Sequence, residues 1–143
     1  MADRQVIADF ARSMGIATSG LRAQAGRMRV ISENIANADS TAPTAGGDPY
    51  RRKVPTFSSE LDHTLDAQVV ALGKVVPDKT AFRVKHEPSN PAADANGDVK
   101  YPNVNSLVEL TDLRDAQQSY QSNLNVITAT RRMLQRTIDI LKS

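Results

Sequence analysis

The run GGDPYRRK, residues 46–53, sets two glycines and a proline directly before Tyr50, Arg51, Arg52 and Lys53. Glycine-rich turns beside cations can cradle phosphates, and arginine and lysine clustered around an aromatic ring can read nucleic acid. The rest of the sequence supports neither chemistry. The turn lacks the Lys-Ser/Thr pair of a phosphate loop and does not lie between a strand and a helix in that order. Asp48, Glu60, Asp62 and Asp66 surround the cations, so a solvated strand face or a protein contact is expected, with no nucleic-acid partner.

Other reactive side chains are sparse. His63 and His86 are the only histidines and lie far apart in sequence, and the chain has no cysteine. Asp62 and His63 are neighbours along the chain, not a pocket-forming triad with a serine nucleophile. No catalytic residue, no metal site and no cofactor is expected. The 143 residues suit one domain or a small domain with helical arms, and with 4% aromatics and no tryptophan the core must be thin and aliphatic. Net charge is +2, so overall electrostatics call for no particular partner. Charged residues interrupt the N-terminus where a secretory peptide needs an apolar core, and there is no apolar run of membrane-spanning length, so no direct membrane insertion is expected.

Whatever this chain does must therefore come from the elements that carry these residues. All seven prolines fall between Pro43 and Pro102, and proline in a helix interior costs about 3 kcal/mol. Long helices are thus confined to the two ends. The N-terminal stripe Ile7, Phe10, Met14, Ala17, Leu21, Gln24, Met28, Ile31, Ile35 and Ala38 advances in alternating steps of three and four, the period of a coiled-coil seam, with Gln24 its single polar member. Leu110, Leu113, Gln117, Tyr120, Leu124, Ile127, Arg131, Leu134, Ile138 and Leu141 repeat the pattern at the C-terminus, interrupted by Gln117 and Arg131. Ser106 and Glu109 have capping-box spacing at the start of the second helix. Gly15, Gly20 and Gly26 weaken the first helix, which should depend on a partner. Between the arms, AQVVALGKVVP and TAFRVKHEP read as strands of a hairpin turning at Pro77, Asp78 and Lys79, with a further short strand near Val99 to Tyr101.

The expected fold is mainly α with a small β part. Residues 1–38 and 106–143 form long helical arms that pack as a coiled-coil-like pair and together make one helical domain, and residues 39–105 form a central loop and β-hairpin segment. Two such stripes can be fully buried only with help from neighbouring subunits, so the stripe residues are the candidate subunit interface. A soluble helical adaptor working through coiled-coil contacts is the rival reading.

SGLRAQAGRMRVISENIANADST, with Leu21, Ala23, Met28, Asn34, Ala36 and Asn37, resembles the N-terminal signature of the flagellar rod and hook axial proteins. The Tyr50, Arg51, Arg52, Lys53 run and the segment HEPSNPAADANGDVKYPNVN are similar to the proximal-rod branch of that family, and NVITATRRMLQRTIDILKS resembles its C-terminal arm. Asp48, inserted between Gly47 and Pro49, departs from the pattern. The resemblance implies a structural subunit of the flagellar basal-body rod. It implies export by the flagellar type III apparatus without a cleaved signal peptide, and assembly in the periplasm with other rod proteins and copies of itself. On that reading the break after Ala38 lets the chain leave an inner helical layer, and Arg51 to Lys53 meet acidic surfaces of neighbouring subunits.

Overall fold

The computed structural model describes residues 1–143, with every side chain but that of Ala2. A helix α1 (Ala2–Ala36) and a helix α2 (Ser106–Lys142) hold the two ends of the chain. Between them lie six short strands: β1 (Lys53–Val54), β2 (Phe57–Asp62), β3 (Ala67–Leu72), β4 (Val76–Pro77), β5 (Arg83–His86) and β6 (Asp98–Tyr101). This is the mainly α fold with a small central β part that the proline distribution demands. No helix among the described residues is long and apolar enough to cross a membrane.

The strands pair differently from the expected hairpin. Residues of AQVVALGKVVP do not turn back on TAFRVKHEP; β3 pairs antiparallel with β2, Phe57 opposite Leu72 and Asp62 opposite Ala67. The turn between them is built by Asp62, whose Oδ1 accepts from the amides of Thr64 at 2.8 Å and Leu65 at 3.1 Å, with Asp66 left-handed at φ 47°. β4 pairs with β1, and β5 with β6. Periodicity did not mark FSSELD as a strand because most of its residues stay exposed, which leaves no buried face to write a hydrophobic alternation.

Two compact units use these elements. The first comprises Met1–Arg27, Phe57–Gly73 and Asp115–Ser143; the second comprises Met28–Thr56 and Lys74–Arg114. The first unit has an alanine core, Ala17, Ala23, Ala67 and Ala116. Its three helix glycines are points of close approach: a Cβ on Gly15 would run into Leu65, one on Gly20 would lie 2.7 Å from Asn123, and one on Gly26 2.7 Å from Leu72. The helix tolerates them because neighbouring side chains fill the space a Cβ would take. The second unit buries Val30, Ile31, Ala38, Ala42, Ala92, Val99 and Val104.

Candidate assembly site

The second unit contains a cluster that no apolar pattern would produce. Asn34, in the last turn of α1, is fully buried, and all four of its hydrogen-bonding positions are filled. Its Nδ2 donates to the Lys53 carbonyl at 2.8 Å and to Glu109 Oε2 at 3.0 Å. Its Oδ1 accepts from the Tyr50 hydroxyl at 2.8 Å and the Lys53 amide at 2.9 Å. A buried amide is stabilising only when satisfied in this way, and then it fixes one geometry. The residues that follow the helix break are thereby clamped against the helix they have just left.

Glu109 completes the cluster. It is 1% exposed and receives Arg52 Nε at 2.5 Å in addition to the Asn34 amide. Arg52 also meets Asp78 at 3.2 Å and Asp112 at 3.8 Å. Lys53 pairs with Glu33 at 2.5 Å, while the Arg51 guanidinium donates to the carbonyls of Asp78 and Thr80 and lies 4.1 Å from the Phe82 ring centre. Arg51, Arg52 and Lys53 are thus all engaged within the chain. Their partners are carboxylates, carbonyls and a ring of the same unit.

The start of α2 is corrected with it. Asn105 is the cap, its Oδ1 accepting from the amides of Leu107 at 3.1 Å and Val108 at 3.4 Å. Glu109 does not reach back to close a capping box, because its carboxylate is committed to Arg52 and Asn34. Asn37 sits at the end of α1, where its Nδ2 donates to the Glu33 carbonyl at 2.8 Å.

The seam residues divide into two groups. On α1, Ile31 is buried; Phe10, Met14, Leu21, Met28 and Ile35 are half-buried; Ile7 is exposed. On α2, Leu113, Tyr120, Ile127, Leu134 and Ile138 are half-buried, whereas Leu110, Leu124 and Leu141 are exposed. The buried positions of α2 are Glu109, Ala116 and Thr130, each one residue before a seam position, Leu110, Gln117 and Arg131 respectively. Small side chains let helices approach closely. The bulky stripe is offset by one position from the buried line, which leaves Leu110, Leu124 and Leu141 exposed.

Comparison with known proteins decides what this arrangement belongs to. Residues 14–42 match the family described as flagella basal body rod protein, and residues 95–140 match the C-terminal family of flagellar basal body rod FlgEFG proteins. The chain is 53% identical over 128 residues to the flagellar basal-body rod protein FlgC of Agrobacterium fabrum, covering 90% of this chain and 92% of that one. The chain belongs to the FlgC family of flagellar basal-body rod proteins. It is 34% identical to the Bacillus subtilis FlgC, covering 91% and 97% of the two chains, and 37% identical to that of Salmonella typhimurium, covering 87% and 92%.

In this FlgC-family chain the two matched regions hold Asn34 and Glu109 respectively, and the Tyr50–Lys53 run between them supplies the rest of the cluster. Burial, reinforced by the charges of Glu33 and Glu109, pushes the Tyr50 hydroxyl up from 10.0 to about 12. Hydrogen bonds from the Thr80 amide and hydroxyl, then from Arg52, hold the Asp78 carboxyl below its ordinary value. A raised tyrosine favours the neutral form in the folded chain. Its stabilisation is complete below pH 10 and is lost as pH climbs towards 12. Ultraviolet titration should therefore show a late tyrosinate step accompanied by loss of the second unit, and Tyr50→Phe should diminish that step, leaving the contribution of Tyr101, whose hydroxyl is raised by its bond to Glu87. A Tyr50 step at its ordinary pH would refute the burial of that hydroxyl against Asn34.

Proposed function

We propose that this chain is a non-enzymatic structural subunit of the proximal part of the flagellar rod, assembling with copies of itself and with other rod proteins. The observation that carries the reading is the apolar surface left on the two long helices: Ile7 is 52% exposed, Leu110 51%, Leu124 39% and Leu141 58%. Bulky side chains at seam spacing contribute about 1.5–3 kcal/mol each when buried, and neighbouring helices in a rod would bury them. In this reading the 1–38 and 106–143 arms serve together as the assembly element. Asn34, Asn37 and the Tyr50–Lys53 run fix how the central segment departs from it. The chain reaches the periplasm through the flagellar type III apparatus and is used there as a drive-shaft component, with no cofactor.

The test is complementation. A tagged copy supplied to a non-motile strain lacking its own FlgC-family protein is expected to restore swimming and to co-purify with detergent-extracted basal bodies. Restored swimming with the tagged chain soluble and absent from basal bodies would overturn the structural role.

A further inference from the structure

Gln24 is the one polar residue in the α1 stripe and Arg131 the one cation in the α2 stripe. Within the first unit, Gln24 lines a groove of about 580 Å³ together with Asp115, Gln118, Ser119, Ser122 and Asn123. Its Oε1 is buried and meets no donor. The neighbouring polar groups do not supply one, since Ser122 donates to the Gln118 carbonyl and the Asn123 amide to the Ser119 carbonyl. Asp115 is exposed and forms no ion pair among the described residues. The groove thus presents the exposed Asp115 carboxylate to a donor-rich cation, with the unsatisfied Gln24 carbonyl closed off beside it until that side chain turns outward. Arg131 is exposed and likewise has no acid within reach among the described residues.

We infer that this groove receives the guanidinium of Arg131 from a second copy of the chain, and that the contact sets the register in which copies pack. A planar fork of N–H donors suits a carbonyl beside a carboxylate. An arginine in an apolar stripe can be covered by a neighbour only where that neighbour presents acceptors. A lone polar position in a seam acts by excluding other registers. Exposed Leu124, two helical turns before Arg131, supplies the apolar side of the same docking face. The inference rests on the rod-subunit reading.

Asp115→Arg and Arg131→Asp should each lower incorporation into basal bodies by about tenfold or more, and the two together in one chain should restore it. Gln24→Met, which removes the orphan acceptor, should leave the melting temperature of the purified chain unchanged or raised while lowering incorporation. Single charge reversals that incorporate like the wild type, or a double reversal that incorporates no better than either single one, would overturn the contact. The rod-subunit reading would survive either result as long as wild-type chain is recovered in basal bodies, and would fail together with the contact only if it is not.

Discussion

Arg52→Ala is expected to cost the second unit about 3–5 kcal/mol, the range for stripping the partner from a buried charge. The Glu109 carboxylate would be left 1% exposed with only the Asn34 amide at 3.0 Å. Small domains have roughly 5–15 kcal/mol to lose, so this single change removes a large part of their margin. Urea titration followed by circular dichroism should place the Arg52→Ala midpoint far below wild type. Glu109→Gln should cost less, about 1.5–3 kcal/mol for a lost charge-assisted bond, because Arg52 keeps Asp78 at 3.2 Å and the new amide can still meet Asn34. Equal, small effects from both variants would mean that the ion pair is solvated, contrary to the burial of Glu109.

The two long helices and the β character of the middle were legible because proline placement and seam spacing are local signals. Strand pairing was not, since Phe57–Asp62 lies exposed and has no apolar alternation to announce it. Glu109 was misread for a different reason: S-x-x-E spacing fits a capping box, but Asn105 supplies the cap and the carboxylate turns inward. A signal for it did exist. Glu109, Ala116, Asn123 and Thr130 recur every seven residues beside the apolar stripe, a small and polar line of the kind that permits close helix approach. Arg51 to Lys53 were recognisable as important residues, yet their acids come from positions as distant as Glu33, Asp78 and Glu109, and no local pattern joins them.

The same offset of the α2 stripe gives the sharpest test of assembly. Leu124 is 39% exposed in the free chain, whereas Ala116 is fully buried. Leu124→Asp should therefore leave the purified protein folded, with a melting curve close to wild type. In the rod, where neighbouring helices would cover the stripe, the same substitution would bury an unpaired charge at a cost of several kcal/mol. Each subunit repeats its contacts, so the defect recurs at every interface of that kind. The expected strain makes and exports the protein, yet lacks intact basal bodies and does not swim. Ala116→Asp should differ by failing at the earlier step, unfolding the first unit before assembly is reached. His63→Ala and His86→Ala change exposed side chains, one in the β2–β3 turn and one paired with Asp98 at 2.9 Å on the surface, and both strains should swim normally. Motility assays with basal-body isolation separate the cases, and a swimming Leu124→Asp strain would remove the exposed stripe as the assembly surface.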